Sequence, residues 1–245
     1  MSSNEPAVCA IAPPAADLAG QTRPPDDVVV NAGAARGMAD ALSTAIATHD
    51  PTWLWLLDDG VVPAPEALER LLEPLGNAGE LENPVLLSSL VVGPDGRLDA
   101  QRLPWPRLLA RELAMAGAER HLAALRAACY GSLLVHRRGI ERHGVPRADF
   151  VGEGEDLEWS GRILRDEPGY LVPGSVATRE HNTPLDLRTF TRNRVRILRG
   201  DGWRGQERAW FAFLLAQDVA QRLAARPTSM PALARAIGSG LRAGS

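Results

Sequence analysis

Residues 53–60 read Trp-Leu-Trp-Leu-Leu-Asp-Asp-Gly, an apolar run that leads directly into two carboxylates. A short, continuously apolar run is typical of a buried strand. Open α/β sheets bind ligands at the carboxyl ends of their strands, which is where Asp58 and Asp59 fall. Carboxylate oxygens suit Mg²⁺ or Mn²⁺ carrying a phosphate. Gly60 stands where such a site would use a third acid.

The composition limits the function classes that are open to the chain. Its 245 residues allow one large domain or one domain with appendages, and the net charge of −3 gives no general attraction to nucleic acid. No apolar stretch reaches the roughly 20 residues that span a bilayer. Cys9 and Cys129 are far apart and in no metal-ligand spacing, which favours a reducing compartment. We expect a cytoplasmic protein, with contact at the inner face of a membrane as an alternative.

Strands and helices are predicted to alternate along most of the chain. The predicted strands are Ala7–Ile11, Val28–Val30, Trp53–Leu57, 84–92, 127–136, 170–172 and 175–179. The predicted helices are 37–49, 66–75, 107–126, 138–143, 155–165 and most of 186–243. This alternation predicts an α/β fold with a mainly parallel sheet. We divide the chain into an irregular segment (1–26), a core (27–185) and a helical region (186–245).

A turn of small residues, Asn31-Ala-Gly-Ala-Ala-Arg-Gly37, joins the second strand to the first helix. Strand, glycine turn and helix in this order can bind a phosphate or sugar at the helix start. Such turns are also common as plain connectors in α/β proteins, so both interpretations stay open.

Four acids crowd residues 153–158, where Gly154-Glu-Asp-Leu-Glu-Trp159 opens a helix. The helix dipole alone accounts for acids at a helix start. Like charges in such numbers repel, however, unless a cation or a proton is used there. Glu155 and Glu158 share a helix face while Asp156 points elsewhere, so one carboxylate could bind a substrate while another takes a proton.

Basic and aromatic residues follow in the second half of the chain. His181 lies at a predicted strand end and is either structural or a further metal ligand. Seven arginines against three acids in residues 186–208 form either a solvated helix face or a clamp for a diphosphate or anionic lipid. An apolar cluster beginning at Trp210 favours packing on the sheet domain or a dimer partner, with peripheral membrane contact as the alternative.

Taken together, these motifs resemble those of family 2 glycosyltransferases of the GT-A fold, in particular the rhamnosyl- and galactofuranosyltransferase-like branch. The likeness covers about residues 27–200. It is carried, in order, by the turn Asn31–Gly37, by residues 53–60 with Pro63, by Gly-Glu-Asp-Leu-Glu-Trp-Ser at 154–160, and by His181 with Thr191-Arg192-Asn193.

The resemblance implies metal-assisted sugar transfer, usually with inversion, from a nucleotide-diphosphate sugar of the UDP or dTDP type to a glycan or lipid-linked acceptor. It implies Asp156 as the catalytic base. The remaining implied roles are metal ligation by Asp58, Asp59 and His181, donor and diphosphate binding by Asn31, Gly33, Asp58 and Arg192, and acceptor binding by Glu155, Glu158 and Trp159.

The chain departs from the family pattern in two places. Gly60 replaces the third acid of the aspartate triplet, which should weaken metal binding. Only about 15 residues separate the first two strands, too few for the helix and strand that the nucleotide-binding part normally has there. A non-catalytic homologue that acts as a binding or partner subunit is therefore the alternative, as is a start upstream of Met1. A homo-oligomer or a complex with a partner glycosyltransferase is also open.

Overall fold

The computed structural model describes residues 6–31, 37–76, 83–99, 103–107, 110–150, 152–181, 186–225 and 230–242. Within these residues the strands are β1 (Val8–Ala12), β2 (Asp27–Val30), β3 (Trp53–Leu57), β4 (Val61–Pro63), β5 (Leu86–Val92), β6 (Trp105–Pro106), β7 (Ala123–Ala127), β8 (Ser132–His136) and β9 (Gly169–Arg179). The helices are α1 (Gly37–His49), α2 (Ala67–Gly76), α3 (Arg111–Ala118), α4 (Arg137–His143), α5 (Glu155–Ile163), α6 (Leu187–Arg199), α7 (Gly205–Ala225) and α8 (Met230–Arg242).

The strands form a mixed sheet in the order β2-β1-β3-β8-β5-β9-β7-β6, with β4 paired to β9. The α/β class is confirmed, but the prediction of a mainly parallel sheet is wrong. Among the described strands, β1–β2, β1–β3 and β5–β9 pair in parallel and the other pairings are antiparallel. β8 runs antiparallel between β3 and β5, and alternation of helices and strands along a sequence does not fix that direction.

β3 lies inside the sheet, between β1 and β8, and all five of its residues are buried. Its side chains alternate between two cores. Leu54 and Leu56 pack in the cluster beneath α1, whereas Trp53, Trp55 and Leu57 pack in the cluster that includes α2. A strand covered on both faces needs apolar residues at every position, which accounts for the continuous apolar run.

The connection from β1 to β2 contains no helix or strand in residues 13–26, in agreement with the short spacing between these strands in the sequence. Gln21 fixes this segment to α2, since its side-chain nitrogen donates to the Ala64 carbonyl at 2.8 Å and its oxygen accepts from the Leu68 N–H at 3.3 Å. Leu18 is buried in the core cluster that includes residues of α2. The residues before Asp27 therefore supply an interior strand of the sheet as well as an irregular connection.

The predicted helix over 107–126 is wrong in its second half. α3 ends at Ala118, and His121 follows with a positive φ of 59°. The chain then enters β7, whose residues pair with β9. Ala- and Leu-rich sequence fits either state, and the sheet edge decides in favour of a strand. The two short strands predicted at 170–172 and 175–179 are one strand, β9.

The helical prediction for the C-terminal region is confirmed by α6, α7 and α8. α6 and α8 lie in close contact at Gly240, where a Cβ atom would meet the Arg192 carbonyl at 2.7 Å. The apolar cluster at the start of α7 divides: Phe211 is buried, whereas Trp210 and Phe213 are exposed and stack on each other. In the part of the chain that the structure describes, no helix is long and apolar enough to cross a membrane.

Candidate active site

The turn after β3 places the first acidic motif against the end of β9. The Asp58 N–H donates to the Gly131 carbonyl at 3.0 Å, and the Glu180 N–H donates to the Gly60 carbonyl at 2.9 Å. Gly60 has a φ of 67°, a left-handed conformation that glycine adopts without strain. Asp58 thereby lies next to the loop before β8. His181 directly follows Glu180, whose N–H is hydrogen-bonded to Gly60.

The second acidic motif begins α5 at the same side of the sheet. Gly154 caps the helix in a left-handed conformation, with a φ of 97°. The Asn193 side chain on α6 donates to the Glu153 carbonyl at 2.8 Å and so holds the loop before the helix. A Cβ atom on Gly154 would lie 3.5 Å from the Asn193 Cβ. The start of α5 therefore lies next to Asn193 of α6.

Asp156 connects the two parts of the site. Its Oδ2 accepts from the Tyr130 N–H at 3.0 Å, and its Oδ1 accepts from the Leu157 N–H at 2.7 Å. The residue is only 7 % exposed. Hydrogen bonds to a carboxylate are stronger than those between neutral groups. Asp156 therefore holds the loop before β8 in place on α5.

These contacts form a cleft of about 220 Å³. It is lined by Asp58, Tyr130, Gly152, Glu153, Gly154, Glu155 and Asp156. Three of the predicted site residues, Asp58, Glu155 and Asp156, are thus brought together from segments that lie almost 100 positions apart in the chain. We call this space the acidic cleft.

The pKa of the Glu155 carboxyl group is raised by its surroundings in the acidic cleft. Burial raises its pKa from 4.5 to about 7, and the negative charges of Asp156, Glu158 and Asp58 add to the rise. A carboxyl with such a pKa exchanges its proton near neutral pH, which suits a group that handles protons or hydroxyl groups.

Tyr130 is a cleft residue that sequence reasoning missed. Burial, followed by the charges of Glu155 and Asp156, raises the pKa of its phenol well above the ordinary value. Its hydroxyl oxygen is buried and has no hydrogen-bond partner among the described residues. No motif marks this position, which lies within the strand predicted over 127–136, whereas the structure has a loop there between β7 and β8.

Two residues assigned to the acceptor lie away from the acidic cleft. The Trp159 ring is fully buried in the core, and its indole N–H donates to the Gly144 carbonyl at 2.8 Å. The prediction that Trp159 lines an acceptor pocket is corrected accordingly, because Trp159 is fully buried and is not among the residues that line the acidic cleft described above. Glu158 pairs with Arg162 at 3.1 Å and lines a neighbouring cavity of about 280 Å³ that also contains Arg147 and Arg196.

Of the residues assigned to bind the donor diphosphate, Asn31 and Arg192, like Asp58, lie within the described part of the chain. Asn31 is half-buried after β2, and its N–H donates to the Ala12 carbonyl. A Cβ atom on Gly37 would approach the Asn31 side-chain oxygen to 2.5 Å, so glycine allows this side chain to lie on the start of α1. Gly33 falls outside the described residues. Arg192 is half-buried on α6, where its Nε donates to the side-chain oxygen of Asn193. The Asn193 side chain in turn holds the loop before α5.

The residues assigned to a metal do not form a preassembled site. Asp59 and His181 are exposed, while Asp58 is half-buried beside the acidic cleft. Across the described ranges, no group of three or more His, Cys, Asp or Glu side chains is arranged to hold a metal ion.

Comparison with family models finds no match, and comparison with curated proteins finds no match either. Solved structures do match. They include S. aureus TarS (12 % identity, TM-score 0.57, 97 % of this chain), the mannosyltransferase PcManGT from Pyrobaculum calidifontis in complex with GDP-Man and Mn²⁺ (17 %, 0.52, 99 %), and GalNAc-T7 with UDP, GalNAc and Mn²⁺ (16 %, 0.50, 87 %).

These similarities define the class of fold. The chain has the GT-A glycosyltransferase fold, a mixed α/β architecture with a central sheet and flanking helices. It spans 42 % of the GalNAc-T7 chain, 49 % of the TarS chain and 77 % of the PcManGT chain. Identities of 12 to 17 % establish the fold, and the assignment to family 2 and to its rhamnosyl- and galactofuranosyltransferase-like branch stays a prediction.

Proposed function

We propose that this protein is a glycosyltransferase that moves a sugar from a nucleotide-diphosphate donor to an acceptor hydroxyl. The observation that carries the proposal is the acidic cleft. This protein has the GT-A fold, and its acidic cleft brings Asp58, Glu155 and Asp156 together beside the ends of β3 and β9. Two of the similar structures hold nucleotide ligands, UDP in GalNAc-T7 and GDP-Man in PcManGT.

In the proposed reaction Asp156 acts as the base. The acceptor oxygen forms a bond to the anomeric carbon while the bond from that carbon to the diphosphate breaks. The diphosphate leaves with the electron pair, the configuration inverts, and Asp156 takes the proton of the acceptor hydroxyl. Backbone N–H groups of Tyr130 and Leu157 donate to the two oxygens of Asp156 and so fix the orientation of this carboxylate.

Glu155 is proposed to bind the acceptor hydroxyl beside this base. The two neighbouring carboxyl groups sit in different environments, which is how sites with paired acids divide their roles. Asp156 is held by two N–H donors, whereas burial and the nearby acids raise the pKa of Glu155 to about 7. Below this pH Glu155 can donate a hydrogen bond to the acceptor oxygen, and above it the side chain only accepts.

The departing diphosphate needs positive charge or hydrogen-bond donors. We propose that these groups come from Asn31, Gly33 and Arg192. The half-buried position of Arg192 next to Asn193 supports its role in binding the diphosphate. The resemblance adds Mg²⁺ or Mn²⁺ held by Asp58, Asp59 and His181. Since the described side chains do not assemble such a site, we assign no step to a metal and propose that any metal binding is weak.

Release of nucleoside diphosphate tests the proposal. The wild-type protein is incubated with UDP-, dTDP- and GDP-sugars, with water able to replace the unidentified acceptor. Asp156→Asn should abolish release while it retains nucleotide binding. Because asparagine has one acceptor oxygen for two N–H groups, it should also lower stability by about 1–3 kcal/mol. Asp95→Asn, on an exposed turn, is the matched control. Equal release by wild type and Asp156→Asn would show that Asp156 is not the base.

A non-catalytic homologue is the second candidate, and Gly60, which stands where a third acid would complete the aspartate triplet, favours it. Such a protein would act as a binding or partner subunit for glycan or lipid-linked acceptors. It would bind nucleotide or acceptor without turnover, so binding combined with undetectable release for every donor would favour this candidate over an enzyme.

A further inference from the structure

The geometry points to Tyr130 as a binding residue for the sugar unit of the donor. This inference rests on the proposed function and adds to it a residue that contacts the transferred sugar. Tyr130 lies in the short loop between β7 and β8, a segment without an acidic or glycine-rich motif of its own.

The backbone of this loop is fixed from both sides by the two acidic motifs. The Tyr130 N–H donates to Asp156 Oδ2 at 3.0 Å, and the carbonyl of Gly131 accepts from the Asp58 N–H at 3.0 Å. A Cβ atom on Gly131 would lie 2.7 Å from a methyl group of Val91, so the loop is also packed closely on β5. Tyr130 is therefore held between Asp58 and Asp156.

The ring is as firmly placed as the backbone. Tyr130 is 8 % exposed, belongs to the core cluster beneath α1 and packs against Trp159 with ring centroids 6.2 Å apart. A buried ring with such neighbours has little freedom to turn its hydroxyl toward bulk water.

The hydroxyl is the feature that indicates a ligand. It is buried and lacks a hydrogen-bond partner in the described part of the chain, although buried polar groups in native proteins are almost always paired. The ionisable groups that act on it are the carboxylates of Glu155, Asp156, Asp58 and Glu158, the first three of which line the acidic cleft. Burial, together with these charges, raises the pKa of the phenol and keeps it protonated, so the hydroxyl can donate a hydrogen bond to a neutral oxygen of a ligand.

The position along the cleft selects the sugar as the ligand. Under the proposed function Asp58 lies at the diphosphate end and Asp156 at the acceptor end. The sugar unit must lie between its leaving group and the base, which is where Tyr130 is held. A sugar hydroxyl or ring oxygen is the acceptor that this phenol would bind.

Calorimetry with Tyr130→Phe tests the inference. Two pairs of probes are used, UDP with UDP-glucose and GDP with GDP-mannose. The variant is measured with the pair that the wild type binds. Removing one hydrogen bond should weaken the nucleotide sugar about tenfold and leave the affinity for the bare nucleotide unchanged. The melting temperature should not fall, because the free protein loses no hydrogen bond and no longer buries an unpaired hydroxyl.

Tyr170→Phe is the matched control. Tyr170 is the other tyrosine of the chain, is fully buried on β9 and is not among the residues that line the acidic cleft. It should keep wild-type affinity for both members of each pair.

Two results would overturn the inference while leaving the proposed function standing. One is wild-type affinity of Tyr130→Phe for the nucleotide sugar. The other is an equal loss for the nucleotide sugar and for the bare nucleotide, which would indicate a general disturbance of the site. If the wild type binds nucleotides but no nucleotide sugar, or binds neither, the proposed function fails and the inference fails with it.

Discussion

The Glu155 carboxyl group is the side chain whose chemistry depends most on its surroundings. Burial and three neighbouring carboxylates, on Asp156, Glu158 and Asp58, raise its pKa from 4.5 to about 7. The folded protein therefore binds this proton more tightly than the unfolded chain does. Between these two pH values the folded state holds more protons, so the free energy of unfolding falls as the pH rises.

Glu155→Gln should remove this pH dependence, because glutamine does not ionise. We expect the variant to melt at a higher temperature than the wild type at pH 8 and the difference to shrink as the pH falls toward 4.5. Melting curves across this range measure it. Glu112→Gln, at an exposed position of α3, is the control and should show no such trend. A difference that is constant with pH would contradict the raised pKa.

Gly60 offers a direct test of the missing metal ligand. Nothing lies within 4 Å of a Cβ atom at this position, but the φ of 67° strains any other residue. Gly60→Asp should bind Mn²⁺ more tightly than the wild type, because it adds a carboxylate beside Asp58 and Asp59. Gly60→Asn has the same backbone strain without the charge. Both should lose about 1 kcal/mol of stability, and only the aspartate variant should gain affinity for Mn²⁺ in calorimetry. Equal Mn²⁺ affinity of the two variants would rule out a metal role for this turn.

At this scale the sequence indicates part of the site. Asp58, Glu155 and Asp156 can be predicted because two acids end an apolar run and four acids crowd residues 153–158, where like charges repel unless a cation or a proton is used. Tyr130 cannot, since its place in the acidic cleft depends on hydrogen bonds that reach 26 residues along the chain. The burial of Trp159 was missed because an aromatic residue after an acidic motif fits a pocket wall or a core equally well.

At the scale of elements, Arg126 joins the C-terminal helices to the sheet. It is 2 % exposed on β7, pairs with Glu207 on α7, and donates to the carbonyls of Gly161 and Gly202. Its guanidinium lies 4.2 Å from the centre of the Trp203 ring. A single buried cation therefore connects β7, α5 and the chain around the start of α7.

Arg126→Met should destabilise the protein by about 3 kcal/mol, because it removes the buried partner of Glu207 and the guanidinium that donates to the Gly161 and Gly202 carbonyls. Chemical denaturation measures the loss. Arg97→Met, at an exposed turn where the arginine only faces Asp95, should change stability by less than about 0.5 kcal/mol. Similar losses in both variants would show that the buried arginine is not what holds α7 on the sheet.

The elements themselves show which local signals are reliable. Trp53–Leu57 and Gly37–His49 follow their predicted bounds. The strand does so because a continuous apolar run is a reliable signal of a buried strand. The segment 107–126 does not, because its strand β7 forms only by pairing with β9 and β6. Strand direction is likewise set by the whole sheet, which is why the predicted mainly parallel arrangement fails at β8.

At the scale of the whole molecule, the order of the motifs predicts the fold better than any single motif. The acid-ended strand, the acidic helix start and His181 recur in the order expected of a GT-A protein, and the sheet confirms the fold. The donor base, the sugar and the acceptor depend on a few side-chain contacts, which the order of elements does not specify.

Nucleotide binding by the whole protein tests the central claim most directly. A ligand that binds only the folded state stabilises it by mass action, by about 2.7 kcal/mol at one hundred times its Kd. Thermal unfolding is followed with millimolar UDP, dTDP or GDP, with and without Mn²⁺. The account predicts a clear rise in melting temperature with at least one nucleotide, only weakly dependent on Mn²⁺. No rise with any of them would contradict a donor site in this protein.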